Sequence, residues 1–343
     1  MRELLTKLSE GTALSRIEMK DVTTQILAGK LTDSEIALVL ASLKVRGETV
    51  EEITGIVDAL REEALPIRKN LQGVIDNCGT GGDRSNSFNI STTTAFVLAG
   101  AGLKVAKHGN RSISSKTGSA DVLEFLGVAL DFSTEEIEYL LETNGIAFLF
   151  APYVHAKLKP IMKVRKELGI PTIFNVIGPL TNPVELETQF LGVYREDLLM
   201  KLAAVLHQLG RKRAIVINGA GGMDEASLAG ENSLVLLDRG ELIPFTIRPE
   251  DVGLTRYPNE AIVGGDAKEN AQILLDVLHG KEGAYLDTVL FNAAIGLFAA
   301  SLVPSIKDGV DLARQIIHSG KALEKLNFLI NYSKTRNRKV MTS

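Results

Sequence analysis

The stretch Val74-Ile75-Asp76-Asn77-Cys78-Gly79-Thr80-Gly81-Gly82-Asp83-Arg84-Ser85-Asn86-Ser87-Phe88-Asn89-Ile90-Ser91, set behind Gly73, changes from strand to loop to helix. Val74 and Ile75 read as a buried strand that breaks at Gly79 into a loop of glycines and small hydroxyls. An apolar-periodic segment then runs from Ile90 through Ala95, Phe96, Val97, Leu98 and Ala99. This order can wrap backbone N–H groups around a phosphate: glycine permits close approach and φ > 0, and a helix N-terminus adds positive partial charge. Asp83 is unusual in a plain anion nest and points to a metal ion or sugar hydroxyls beside the phosphate. The spacing is neither Gly-x-Gly-x-x-Gly nor a Walker A loop. A tight turn without a ligand fits it as well.

Outward from this stretch the pattern differs on the two sides. Before it, residues 1 to about 65 read as all-helical. Leu4, Leu5 and Leu8 share a face, Thr32-Asp33-Ser34-Glu35 opens a helix, and Thr49-Val50-Glu51-Glu52 opens another with Ile53, Ile56, Val57 and Leu60 as its stripe. After it, strands and helices alternate, which predicts a mainly parallel central sheet covered by helices. The expected strands are Val74–Asp76, Leu103–Ala106, Ala147–Phe150, Phe190–Val193, Ala214–Ile217 and Ser233–Leu237, with Glu241–Ile247 antiparallel through the Arg239-Gly240 turn. The expected helices are Ile90–Ala101, Ala120–Leu126, Thr134–Thr143, about Val154–Leu168, Glu196–Leu209, Ala267–Leu278, Tyr285–Leu302 and Ile306–Ser319. The fold class is α/β: a small all-helical N-terminal domain and a larger α/β domain.

The 343 residues suffice for about two domains. A net charge of −4 argues against a general nucleic-acid or membrane-surface binder. Cys78 is the sole cysteine, so no intrachain disulfide forms and a reducing compartment is expected. Met1-Arg2-Glu3-Leu4-Leu5 does not read as a signal peptide. The uncharged run Thr288 to Ile306 approaches the roughly 20 residues of a spanning helix, but Asn292, Gly296, Ser301 and Pro304 make it a buried helix and a turn. The expectation is a cytoplasmic protein.

Four clusters at strand ends or loops carry the chemistry. Lys107-His108-Gly109-Asn110-Arg111-Ser112-Ile113-Ser114-Ser115-Lys116-Thr117-Gly118-Ser119 is an anion-binding inventory, or a solvated polar loop. Gly221-Gly222-Met223-Asp224-Glu225 sets two carboxylates side by side, which a hard cation such as Mg²⁺ would neutralise; a helix start favours the same residues. Phe174 to Pro183, with its Gly178-Pro179 and Asn182-Pro183 pairs, reads as a turn or hinge. His155 and Arg165 carry no assignment from their own surroundings. No Ser-His-Asp set, HExxH or CxxC pattern is present. A glycine loop, a cationic loop and an acidic pair on one strand-end surface suit a polyphosphate–Mg²⁺ substrate.

Gly79-Thr80-Gly81-Gly82-Asp83, Asn89-Ile90-Ser91-Thr92, Lys107-His108-Gly109-Asn110-Arg111, Gly178-Pro179-Leu180-Thr181-Asn182-Pro183 and Met223-Asp224-Glu225, in this order, resemble the anthranilate phosphoribosyltransferase family over nearly the whole chain. The resemblance implies a helical domain of residues 1–70, completed by helices from about 154–185. It also implies an α/β domain of residues 71–343 that binds phosphoribosyl pyrophosphate. It implies a homodimer through the helical domain, and no nucleic-acid or membrane partner. The implied reaction moves phosphoribose from phosphoribosyl pyrophosphate to the amine of anthranilate and releases pyrophosphate, the second step of tryptophan biosynthesis from chorismate. Mg²⁺ is the implied cofactor, as two ions, one carried by the pyrophosphate substrate.

Residue by residue, the resemblance assigns phosphoribosyl pyrophosphate to Gly79, Gly82, Asp83, Ser87, Asn89, Ile90, Ser91 and Thr92. Lys107, His108, Gly109, Asn110, Arg111, Ser112, Ile113, Ser114, Ser115 and Ser119 complete that site. Anthranilate falls to Gly79, Asn110 and Arg165, with His108 and His155 lining its channel, and Mg²⁺ to Ser91, Asp224 and Glu225. No general base is implied. Two departures from the family pattern, Lys163 in place of proline and Pro171 in place of arginine, stand near the anthranilate entry. The rivals are a pyrimidine-nucleoside phosphorylase on the same fold and a non-catalytic nucleic-acid-binding relative; the intact motifs and the charge weigh against both.

Overall fold

A computed structural model of the chain describes residues 1–67, 71–111 and 116–341, with side chains through 336. Four helices come first: α1 (Arg2–Ser9), α2 (Arg16–Leu27), α3 (Asp33–Arg46) and α4 (Val50–Glu62). Three start on reciprocal caps, Ser15 with Glu18, Thr32 with Glu35 and Thr49 with Glu52, each hydroxyl accepting from the N–H three residues on. Helices α2 and α4 touch at Gly55, where a Cβ would stand 2.4 Å from the Arg16 carbonyl oxygen. The expected boundary at residue 70 lies outside the described residues.

The remaining elements are β1 (Val74–Asp76), α5 (Ile90–Gly100), β2 (Lys104–Gly109), α6 (Ser119–Phe125), α7 (Thr134–Thr143), β3 (Ile146–Phe150), α8 (Ala151–Val154), α9 (Lys159–Leu168), β4 (Thr188–Gly192), α10 (Leu199–Gln208), β5 (Arg213–Asn218), β6 (Asn232–Asp238), β7 (Glu241–Ile247), α11 (Ala267–Leu278), α12 (Ala284–Ala299), α13 (Ile306–His318) and α14 (Lys321–Met341). The sheet runs β3-β2-β1-β4-β5-β6-β7. Strands β1 to β5 are parallel, and β6 and β7 antiparallel. Alternate residues feed two cores. Leu191, Val193, Ala214, Val216, Val235 and Leu237 face α10 and the first four helices; Phe190, Ile215, Ile217, Leu234 and Leu236 face the other way. Ile161 and Val164 of α9, with Ile173, Val176, Ile177 and Leu180 beyond it, join the first of these cores.

Three expectations need correction. Strand β2 runs on to Gly109, so Lys107 and His108 lie in the sheet, paired with Phe148 and Leu149, because buried partners satisfy them there. The helix expected over Val154–Leu168 is broken at His155 (φ −122°, ψ 54°), and Pro152 and Pro160 stand where the two α-helical pieces start. Within the mainly parallel sheet that was expected, β6 runs antiparallel to β5 because the loop carrying Asp224 and Glu225 returns the chain directly beside it, without a crossover helix. The chain closes on α14, a helix beyond the last one expected, Ile306–Ser319; Ala322, Leu326 and Leu329 supply its buried face.

Candidate active site

From β1 the chain winds outward to β2 and β3; from β4 it winds the opposite way to β5. Between the carboxyl ends of β1 and β4 this reversal opens a crevice, the standard ligand position of an open parallel sheet. The glycine loop fills its mouth. Gly79 bridges Gly192 at the end of β4, and the Thr80 N–H donates to the Gly192 carbonyl (2.9 Å). Gly81, Gly82, Arg84 and Asn86 all take positive φ, so the loop doubles back on itself. Asn89 does not cap α5. Its amide donates to the Thr117 carbonyl (3.3 Å) and its oxygen accepts from Asn270 (2.9 Å), which leaves the first turn of α5 without a side-chain cap. Thr92 Oγ1 is buried there without a partner.

The acidic pair follows β5 into the same crevice. The Gly81 N–H donates to Asp224 Oδ2 (2.6 Å). Asp83 stands beside Asp224; the Ser85 N–H donates to its Oδ1 (3.1 Å), while its Oδ2 is buried without a partner. Ser91 hydrogen-bonds Glu225. Burial and the neighbouring Asp83 charge push the Asp224 carboxyl upward, and burial with Asp224 pushes Glu225 well above the carboxylate range. Lys107 is the cation that opposes this at Glu225. Asp83 and Asp224 crowd Glu225 with like charge, and a cation placed among them would relieve that repulsion. Among the described residues no group of three or more His, Cys, Asp or Glu is arranged to hold a metal unaided.

Beneath Lys107 lies a network that sequence reasoning did not find. Asp76, fully buried, accepts from Asn182 Nδ2 (3.0 Å) and from the His108 N–H (3.3 Å). Asn182 also donates to the Ala106 carbonyl (2.8 Å), and the Lys107 ammonium donates to the His108 carbonyl (2.9 Å). A carboxylate ending a short apolar strand was the available signal; its partners lie 32 and 106 residues away.

His108 and His155 meet edge to face, ring centroids 5.4 Å apart. Burial lowers both pKa values, His155 to about 4, so both rings are neutral at pH 7, and the Nε2 of each is buried without a partner. Arg165 stands on α9, over the Phe174 ring (5.6 Å) and bonded to Asn175 Oδ1 (3.1 Å). None of its hydrogen bonds reaches the glycine loop, and it has no carboxylate partner among the described residues. Asn110 and Ser119 are tied together by backbone–hydroxyl bonds of 3.2 and 3.1 Å, beside Gly109. Arg111 turns to Asp121 (2.7 Å) and Glu124 (2.8 Å) on α6. Gly82 packs near Tyr194, Ser87 bridges Val263, and the Ile90 side chain belongs to the core with its N–H on the Phe88 carbonyl (2.8 Å). Ser112, Ile113, Ser114 and Ser115 lie outside the described residues. Lys163 pairs with Asp33 on α3, and Pro171 lines a small cavity with Thr172 and Tyr194.

Residues 71–323 match the family described as "Glycosyl transferase family, a/b domain", and residues 2–64 match its helical bundle domain. An anthranilate phosphoribosyltransferase of Exiguobacterium sibiricum is 63% identical over 329 residues, covering 96% of this chain and 97% of that protein. The chain belongs to the anthranilate phosphoribosyltransferase family. The crystal structure of the Thermus thermophilus anthranilate phosphoribosyltransferase superposes with a TM-score of 0.92 at 39% identity, over 96% of this chain and 99% of that one. The Saccharomyces cerevisiae anthranilate phosphoribosyltransferase, solved in complex with PRPP (phosphoribosyl pyrophosphate) and Mg, has a TM-score of 0.89 at 29% identity, covering 97% and 98% of the two chains.

Proposed function

We propose that this chain transfers the phosphoribosyl group of 5-phosphoribosyl 1-pyrophosphate to the amine of anthranilate, giving N-(5-phosphoribosyl)anthranilate and pyrophosphate. The observation that carries the reading is the crevice where the glycine loop hydrogen-bonds Asp224 while Asp83, Glu225 and Lys107 crowd beside it. The loop N–H groups, the uncapped first turn of α5 and Lys107 receive phosphate oxygens; Asn89, Ser91 and Thr92 supply polar groups around them. Ser87, Gly109, Asn110, Arg111 and Ser119 border that region.

The donor set fits Mg²⁺: hard oxygens, with buried carboxylates that gain from a cation. Asp224, Glu225 and Ser91 would hold it, and pyrophosphate oxygens and water would complete its shell. Bound there, Mg²⁺ supplies positive charge against the charge that builds on the leaving pyrophosphate. Two ions, one arriving with the substrate, match three carboxylates better than one.

Arg165 is suited to grip the anthranilate carboxylate through two parallel N–H bonds, since no carboxylate of the described residues occupies it. The aryl amine is neutral at pH 7, so its lone pair attacks C1′ without prior deprotonation, and positioning it in line is the remaining task. Neutral His108 and His155 line the approach without adding charge. We assign the chain two domains: residues 1–70 with about 154–185, and 71–343. We also assign it a homodimer through the helical domain and a cytoplasmic location. Ile17 and Val45, 81% and 88% exposed on α2 and α3, support the dimer. Among the described residues no helix is long and apolar enough to cross a membrane.

The test is loss of anthranilate fluorescence on adding phosphoribosyl pyrophosphate and Mg²⁺; no loss would sink the assignment. Arg165→Ala should raise the anthranilate KM by about tenfold or more, the loss of a charge-assisted pair, with little change in the phosphoribosyl pyrophosphate KM. An unchanged anthranilate KM would remove Arg165 from the site.

A further inference from the structure

Asp224 and Glu225 sit on a backbone that is gripped from below and from behind. A Cβ at Gly192 would stand 1.7 Å from the Asp224 carbonyl oxygen and 2.5 Å from its carbonyl carbon. At Gly219 it would stand 2.0 Å from the Glu225 carbonyl oxygen, and at Gly79 2.3 Å from Asp224 Oδ2. These glycines end or follow β4, β5 and β1, and none has positive φ, so close approach rather than conformational freedom requires them. At Gly192 and Gly219 the obstructing atom is backbone, which cannot swing aside.

The far side is clamped by two wholly buried asparagines. Asn292, on α12, brackets Ala226: its oxygen accepts the Ala226 N–H (2.9 Å), and its amide donates to the Ala226 carbonyl (3.0 Å) and to the Thr288 carbonyl (2.9 Å). Asn232 accepts from the Ser227 N–H (2.7 Å) and donates to the Ser227 and Gly230 carbonyls (3.0 Å each). Mutually repelling carboxylates on a free loop would spread toward water. Here the backbone has no such freedom.

We infer that Gly192, Gly219 and Asn292 are positioning residues that hold the Asp224–Glu225 carboxylates in a fixed, close geometry for the divalent cation carried with the pyrophosphate. The inference rests on the reading that this pair holds Mg²⁺. Supporting shells around metal ligands are worth about 10- to 100-fold in affinity.

The test measures binding of Mn²⁺ with phosphoribosyl pyrophosphate by electron paramagnetic resonance, alongside the Mg²⁺ requirement of turnover. The variants are Gly192→Ala, Asn292→Ser, Glu225→Gln and, as a purely structural control, Asn144→Ala. Asn144 is buried at the end of α7 and donates to the Lys325 carbonyl (3.0 Å). Gly192→Ala and Asn292→Ser should weaken metal binding about tenfold, with the anthranilate KM little changed and Asn144→Ala without effect on the metal. If Glu225→Gln weakens the metal but neither clamp variant does, the inference is overturned and the metal site stands. If Glu225→Gln binds metal normally, the metal assignment fails and takes the inference with it. Should Gly192→Ala not fold, Asn292→Ser decides.

Discussion

Glu52 in the helical bundle and Glu225 at the crevice are both buried carboxylates, and their surroundings are opposite. Glu52 accepts from the Leu14 and Thr49 N–H groups (3.0 Å each), the Thr49 hydroxyl (3.0 Å) and the Arg46 guanidinium (2.6 Å). Glu225 has Ser91 and the charge of Lys107 against two carboxylates, Asp224 and Asp83. The first is satisfied by the protein and serves the fold. The second is satisfied by nothing among the described residues in proportion to its burial, and such a group persists where a ligand completes it. The contrast extends to the scaffold around each. Glu52 takes all its partners from the helical bundle, at Leu14, Arg46 and Thr49, whereas Glu225 draws its neighbours from the glycine loop, β2 and the start of α5.

The sharpest way to break this contrast is neutralisation at both sites. Glu225→Gln should cut turnover about 100-fold or more, the scale of removing one preorganised electrostatic contact, while leaving metal-free stability equal or higher. A fall in stability comparable to the fall in rate would place Glu225 with Glu52 as a structural group. Glu52→Ala strands the Arg46 charge and two backbone donors, and should cost about 3 kcal/mol in urea unfolding, with kcat nearly unchanged. Equal folding stability would show that the bundle does not depend on this centre.

The pH dependence sharpens the same point. Burial and the neighbouring Asp83 charge raise the Asp224 carboxyl from its ordinary 3.8 to about 7, so the native state holds a proton that the unfolded chain releases. Stability from this group is fully present below pH 3.8 and is lost as pH rises toward 7. Asp224→Asn should therefore flatten the fall in Tm over that window in chelator, as should Mg²⁺ with pyrophosphate. Identical profiles for the wild type and the variant would remove the electrostatic strain from the account. The smallest effect is expected at the local end of the comparison: Thr32→Ala removes one cap and should cost about 1 kcal/mol without touching KM for either substrate.

Much of this chain was legible before its structure. The caps at Thr32 and Thr49, the apolar stripe of α4 and the turn at Arg239-Gly240 depend on residues a few positions apart, and the structure places these elements where that spacing puts them. Helix α14 escaped notice because its apolar positions alternate with lysines and other polar residues, and packing against α5, α11 and α13 gives them partners. The motifs of the site were equally visible as residue types, and their order along the chain sufficed to name the family. Their electrostatics were not. Asp76 looked like a strand end until Asn182 and the His108 N–H closed on it, and Asn292 looked only like a polar interruption in an apolar helix.

Sequence alone determined the alternation of strand and helix, the helical start, and the presence of a glycine loop, a cationic segment and an acidic pair, because periodicity, caps and turn chemistry act over a few residues. Only the tertiary structure decided that β4 returns beside β1, that the Gly81 N–H meets Asp224 across 143 residues, and that three glycines and two asparagines hold the acidic pair in place. Those contacts depend on which strand ends the crossovers bring together, and burial then sets the charge state of the groups that meet there.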